Sequence, residues 1–325
     1  MRPALLLVSL MALNVSPGRG QTPLPPRAVQ VLVTVTKIRP GAPPIQPSDL
    51  SVRQGKTTIP VLGWERVRPQ VQLWIAIDDD SEAGLADHIG EVREFILHLP
   101  VHTQAGLAYL GASGVQIAAP LNADHRAVAA RLRPPKSASG ASPDPYASLQ
   151  ALFNQWPNTP GVRRELLVFT PGSVFSGGPN DTHNPAVQTL IVRAQRENIV
   201  IFGLSVGTAG DPLGLGQGGE NQPSLGAQGG GNTMNSPAAT PVMEALAGQS
   251  NLREVSEQSG GWWDYLLHTM MDLRQKLAQV ESCIQHQFWV VYVPPADAPA
   301  GLAKIKVECK TKGTGISAPG AVTIP

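Results

Sequence analysis

The chain has 325 residues, a formal net charge of +1 and only 15% charged residues. That balance gives no basic stripe for nucleic acid and no acidic field for cations in bulk, so a partner has to be recognised by shape and by individual groups. About three hundred residues is more than one hydrophobic core usually needs, which predicts two folding units.

Arg2 places a positive charge at the start, residues 4–15 are apolar apart from Ser9 and Asn14, and Gly18 and Gly20 supply small residues at a cleavage position. The apolar run is too short to span a bilayer, and Pro17, Pro23, Pro25 and Pro26 prevent it from continuing as a buried helix. Residues 1–20 therefore read as a signal peptide. No later stretch is long and apolar enough for a membrane span, and the mature protein is expected outside the cytoplasm, periplasmic or secreted.

Residues 21–70 read as an N-terminal β-segment. Val29, Val31, Val33 and Val35 share one face of a strand over residues 29–36, and Gln30, Leu32, Thr34 and Thr36 share a more polar one. Short strands are predicted over residues 50–53 and 58–62, set off by Arg39-Pro40-Gly41 and Gln54-Gly55-Lys56.

From Val71 the pattern changes to strands alternating with amphipathic helices, which implies parallel strands with crossover helices on both faces. A nearly continuous apolar strand over residues 71–77 precedes Leu85, Ile89, Val92, Phe95 and Ile96 at helical spacing. Then come a strand over 106–110, a hairpin-like return at 115–118 and a helix over 123–132. Asp144 caps a helix opened by Pro145 and running to Trp156. A strand over 165–170, a helix over 186–197 and a strand over 199–206 complete the cycle. Residues 207–237, dominated by Gly, Gln, Asn, Ser and Pro, read as a flexible loop. Helical spacing resumes over 241–248 and 252–258, Gly260-Gly261 stops it, and a long helix is predicted from about Asp264 to Ile284. Residues 285–325 return to β, with strands over 288–293, 303–309 and 316–324 that are expected to pack with residues 21–70. An oxidising compartment would allow Cys283 and Cys309 to form a disulfide, and two buried free thiols are the alternative.

Four stretches together resemble the von Willebrand factor type A (vWA)-related proteins secreted by certain bacteria. They are residues 31–36 with 47–56, residues 73–81, residues 252–261, and residues 286–292 with 302–307. No single stretch is specific, but their order is that of the family, and the resemblance covers nearly all of the mature chain. It implies an α/β fold: a vWA-like, Rossmann-like doubly wound, mostly parallel sheet over residues 71–284, inserted between N- and C-terminal β-segments that form a small β-domain.

The resemblance also implies a metal-ion-dependent adhesion site at the carboxyl ends of the strands. That site joins an Asp-x-Ser-x-Ser turn, a Thr from a later loop and an Asp after the fourth strand, and it holds Mg²⁺ or Ca²⁺ through oxygen ligands. Here the turn is Asp78-Asp79-Asp80-Ser81-Glu82-Ala83. The register Asp79-x-Ser81-x-Ala83 keeps one hydroxyl, whereas starting at Asp78 places Asp80 and Glu82 at both hydroxyl positions. Ser142 stands where the Thr should be, and Pro171-Gly172 replaces Asp-Gly, so that carboxylate is absent. The implied site is degenerate. No cofactor is expected; were Mg²⁺ or Ca²⁺ to bind, Asp79 and Ser81 would be the first ligand candidates and Asp78, Asp80 and Ser142 the next.

The function implied is non-catalytic binding of a protein or cell-surface ligand. The rival is a secreted serine hydrolase, because Gly203-Leu204-Ser205-Val206-Gly207 matches the Gly-x-Ser-x-Gly nucleophile elbow and follows a strand. An elbow needs a helix directly after it, and the glycines and Pro212 that follow Gly207 disfavour one. Ser205 is expected to be a strand residue, with Asp264, His268 and His286 unconnected to it.

Overall fold

The computed structural model describes residues 27–67, 70–79, 85–111, 114–136, 144–157, 159, 161–170, 184–206, 250–266 and 273–325. The expected signal peptide and the expected loop over 207–237 lie outside them. Alternating apolar residues form β1 (Val29–Ile38), followed by β2 (Leu50–Gln54), β3 (Thr57–Pro60) and β4 (Gly63–Arg66). Gly55, at φ 58°, turns β2 into β3 through the left-handed region that glycine enters without a Cβ penalty.

The middle of the chain alternates strands and helices. In chain order these are β5 (Val71–Asp78), α1 (Ile89–His98), β6 (Thr103–Gly111), β7 (Gly114–Asn122), α2 (His125–Ala129) and α3 (Pro145–Phe153). β8 (Arg163–Thr170), α4 (Pro185–Glu197), β9 (Ile199–Val206), α5 (described over residues 250–258), β10 (Trp262–Leu266) and α6 (Leu273–Gln285) follow. The strands form one six-stranded sheet in the order β10-β9-β8-β5-β6-β7, and only the β6–β7 pairing is antiparallel. β5 is buried along its whole length, as a strand covered on both faces must be. On one face α1 and α6 bury Val92, Phe95, Leu277 and Val280 against Leu73, Ile75 and Ile77. On the other, α3, α4 and α5 bury Leu149, Leu190 and Leu252 against Trp74 and Ala76. Asp144 caps α3 by accepting the Ala147 N–H at 2.9 Å, with Pro145 in the first turn, as its sequence predicts.

The long helix expected from Asp264 is instead a strand, β10, and a later helix, α6. Trp262, Trp263 and Tyr265 favour extended backbone, and the chain comes close enough to β9 that a Cβ on Gly261 would collide with the Ile201 carbonyl. The two tryptophans then point to opposite faces. Trp262 tilts against Phe202 and donates to Cys283 Sγ at 3.4 Å, while Trp263 lies under the Arg253 guanidinium.

At the C-terminus come β11 (Gln287–Tyr292), β12 (Gly301–Lys304), β13 (Lys306–Cys309), β14 (Thr314–Ser317) and β15 (Ala321–Ile324). β11 runs antiparallel between β1 and β4, β14 flanks β1 on its other side, and β13 pairs with β2. The α/β part is thus inserted between two β-segments that share a core of Val31, Val33, Val52, Val290, Tyr292 and Ile324. Two expected strands are each split. The stretch over 303–309 breaks at Ile305, whose N–H turns to the Gly320 carbonyl, and the stretch over 316–324 breaks at Pro319, which has no N–H to pair. β1 is buried on both faces rather than one, because its supposedly polar face meets the α/β part: Leu32 joins the core that contains Cys283 and Ile284.

The two cysteines are not bonded to each other in the structure, in line with the free-thiol alternative rather than the disulfide. Cys283 lies on α6 in the core of the large sheet, and Cys309 packs on the β-segment core. Burial pushes the Cys283 thiol up to about 11, the Trp262 N–H pulls it partly back, and it stays an unreactive thiol at neutral pH. Thiol titration of the denatured, unreduced protein is expected to find two thiols, with Cys309 reacting first in the native protein. Finding none would restore the disulfide.

A buried polar seam joins the two parts. Arg163, at the start of β8, donates through Nη1 to the Ile284 carbonyl and to Gln287 Oε1, both at 2.5 Å. Gln287 in turn donates to Thr34 on β1 at 3.2 Å. Glu165 is fully buried beside them, and neither of its oxygens closes a hydrogen bond among the described residues. Burial pushes its carboxyl up to about 7, and the Arg163 charge and the Gln287 amide pull it back only in part.

Candidate functional site

The carboxyl ends of the parallel strands bring together residues far apart in sequence. Asp78 ends β5 and is 2% exposed; its Oδ2 accepts the Thr170 hydroxyl, from the end of β8, at 2.8 Å. Asp79 begins the turn that follows, and its N–H is held by the Leu110 carbonyl at 2.7 Å. Arg133 reaches across from the segment after α2 and grips the Asp79 carboxylate with both ends of its fork, Nη1 to Oδ1 at 2.6 Å and Nη2 to Oδ2 at 2.7 Å. The Lys136 N–H adds a third donor to Oδ1 at 3.0 Å.

Arg133 is itself fixed in place. Its carbonyl accepts from the Tyr109 hydroxyl and its N–H donates to the same oxygen, each at 2.8 Å. Its guanidinium lies 3.8 Å from the centre of the Tyr109 ring. Burial alone would raise the Asp79 carboxyl, but the Arg133 and Lys136 hydrogen bonds and the positive charge outweigh it and hold the group below its ordinary value. Hydrogen bonding to Asp79 likewise raises the guanidinium further. A bidentate pair of this kind is among the stronger polar contacts that a protein makes, and it neutralises the carboxylate in place.

Of the five ligand candidates, the structure describes only Asp78 and Asp79; Asp80, Ser81 and Ser142 lie outside the described residues. Asp78 and Asp79 are adjacent in sequence but face different partners, Thr170 and Arg133. Among the described residues no three His, Cys, Asp or Glu side chains gather as metal ligands. Arg133, Tyr109 and Thr170 are the participants that sequence reasoning missed. The available signal was a cation followed by Pro134-Pro135, just before the loop over 137–144 that should carry a ligating Thr.

Ser205 is a fully buried residue of β9, in register with Thr170 on one side and Tyr265 on the other. Of its supposed partners, Asp264 pairs with Lys276 at 2.5 Å, and His286 follows α6 at the opposite end of the sheet, bonded to the Ser282 carbonyl. His268 lies outside the described residues. The Ser205 side chain is buried within the strand, and nothing among the described residues supports a hydrolase.

The order of the sheet decides the fold. Counted from β5, the strands run 6-5-4-1-2-3 across the sheet with the third antiparallel, so the order reverses between β5 and β8. Asp78 and Thr170 stand at that reversal, where doubly wound sheets open their ligand crevice. The α/β domain is vWA-like.

No protein-family model matches the chain, and no curated protein matches it. Solved structures similar to it include an aerotolerance-related membrane protein from Bacteroides fragilis (14% identity, 66% of this chain and 98% of that chain, TM-score 0.40). BatB from Bacteroides thetaiotaomicron is similar at 16% identity, over 65% of this chain and 96% of that chain, with a TM-score of 0.42. A von Willebrand factor type A protein from Catenulispora acidiphila is similar at 11% identity, over 92% of this chain and 73% of that chain, with a TM-score of 0.41.

Proposed function

We propose that this is a non-catalytic recognition protein that works outside the cytoplasm and holds a protein or cell-surface ligand at the carboxyl edge of its vWA-like sheet, without a bridging cation. The supporting observation is the Arg133–Asp79 fork. In an intact adhesion site a divalent ion supplies the positive charge that meets an acidic group on the partner, and it needs a shell of free oxygen ligands. Here a guanidinium already sits on the acidic turn, and Ala83 and Pro171 provide no side-chain oxygen at two positions where ligands are required. Arg133 is part-exposed, so its fixed charge can face a carboxylate of the partner. Export is supported by the leader pattern of residues 1–20, and among the described residues no helix is long and apolar enough to cross a membrane.

Binding of the partner, measured by surface plasmon resonance, is expected to survive EDTA unchanged and to weaken by about tenfold or more in Arg133→Glu, which reverses the charge at the site. Loss of binding in EDTA, or indifference to Arg133→Glu, would contradict the proposal.

A further inference from the structure

The edge of the large sheet beside the Arg133–Asp79 fork is open. β7 is an edge strand of nine residues, and among the described residues no backbone hydrogen bond reaches it apart from its ladder with β6. In an antiparallel pair alternate N–H and C=O groups point away from the partner, so the outer side of β7 presents a row of them unpaired. Proteins commonly blunt such an edge with charge. β10, at the opposite edge of this sheet, carries Asp264, whereas β7 contains no Asp, Glu, Lys or Arg. What blunting β7 has lies in its second half: the register with β6 shifts past Ile117, and Pro120 has no N–H to give. The open stretch is therefore 114–118.

The two faces beside this stretch differ. Gln116 is exposed and is the register partner of Tyr109, whose ring carries the Arg133 guanidinium, and Arg133 Nη2 reaches Gln116 Oε1 at 3.5 Å. A strand added beyond β7 would set the side chain opposite Gln116 on that same face, about 5 Å away between Cβ atoms and within reach of the guanidinium. Val115 and Ile117 lie on the other face, part-buried against the core that α3 covers. Residues 126–136 carry Arg126, Arg131, Arg133 and Lys136 and no acidic residue, so the chain around the fork offers cations to a partner. A second copy of this chain fits poorly, because pairing two β7 edges would bring two such cationic segments towards each other.

We propose, resting on the role given to Arg133 above, that the partner presents an extended acidic segment that adds to β7 as a further strand. Its backbone pairs with 114–118, and a Glu or Asp opposite Gln116 meets Arg133. The residues on either side of that carboxylate are apolar and lie beside Val115 and Ile117. Main-chain pairing supplies the affinity and the alternating side chains supply the selectivity, as in other strand additions.

Titration of the full protein with the peptide acetyl-Thr-Val-Glu-Val-Thr-Ser-amide tests this, with amide hydrogen exchange followed by NMR in the same samples. The peptide is expected to bind with a Kd of about 1 mM or tighter. At about ten times its Kd it should slow exchange about tenfold at alternate amides of 114–118. The same peptide with Gln in place of Glu is expected to bind the wild type about tenfold more weakly, as is the original peptide to Arg133→Glu. The Gln peptide keeps the test valid should Arg133→Glu fold poorly. Absence of binding, or binding without protection in 114–118, would overturn strand addition; a lack of protection combined with weaker binding in Arg133→Glu would still leave Arg133 as a carboxylate contact. Protection with equal affinity for the Gln peptide would contradict the role of Arg133 itself and, with it, the acidic partner. Protection that grows with protein concentration and needs no peptide would assign the edge to a second copy of this chain and overturn the proposal.

Discussion

Raising the pH from 4.5 to 8 should cost the folded protein about 3 kcal/mol through Glu165 alone. The carboxyl is fully buried, neither oxygen closes a hydrogen bond of good geometry among the described residues, and burial pushes it from 4.5 up to about 7 in the folded chain. The folded state therefore holds a proton that the unfolded state has released across this interval. That contribution is fully present below pH 4.5 and is lost as the pH rises through about 7. Asp79 acts in the opposite sense: its carboxyl is depressed by Arg133, so its contribution is present above the unfolded value of 3.8 and is lost in acid. Urea denaturation of the wild type and Glu165→Gln at both pH values isolates the Glu165 effect, since the remaining groups titrate alike in the two proteins. The variant should lack the extra loss. Parallel pH dependences would show that Glu165 is charged in the folded protein at neutral pH.

Arg163→Ala should destabilise the protein by about 3–5 kcal/mol, the range for breaking a buried charged contact from one side. The guanidinium satisfies the Ile284 carbonyl and Gln287 Oε1 at the seam and is the favourable charge nearest Glu165. Its removal leaves two buried acceptors unpaired and raises the Glu165 carboxyl further, so the variant's pH dependence should shift to higher pH as well. Arg164, its neighbour, pairs with Glu197 at 3.8 Å nearer the surface, and Arg164→Ala should change stability by about 1 kcal/mol or less. Denaturant midpoints of the two variants at pH 5 make the comparison, and an Arg163→Ala loss below that of Arg164→Ala would contradict this view of the seam.

Much of the architecture was legible because it depends on periodicity. The mostly apolar runs at 71–77, 165–170 and 199–206 read as strands covered on both faces, and Asp144-Pro145 announced α3. The failures share one cause: tertiary contact overrode the local pattern. Trp262, Trp263 and Tyr265 fit a helix start as well as a strand, and the close approach of Gly261 to β9 decided for the strand. Leu32 and Thr34 looked like a solvent face until α6 and Gln287 covered them. The site was legible as an acidic turn at a strand end. Its chemistry was not, because the residue that neutralises Asp79 is Arg133, which lies 54 positions away in the chain with nothing local to link the two.

Titration calorimetry of the purified protein with Mg²⁺ and with Ca²⁺ probes the Arg133–Asp79 fork most directly. With Arg133 on Asp79, neither ion should bind more tightly than about 1 mM, the weak end of the range for calcium sites. Micromolar binding that disappears in Asp79→Ala would show that a cation displaces the guanidinium, and that the acidic turn is a metal site after all.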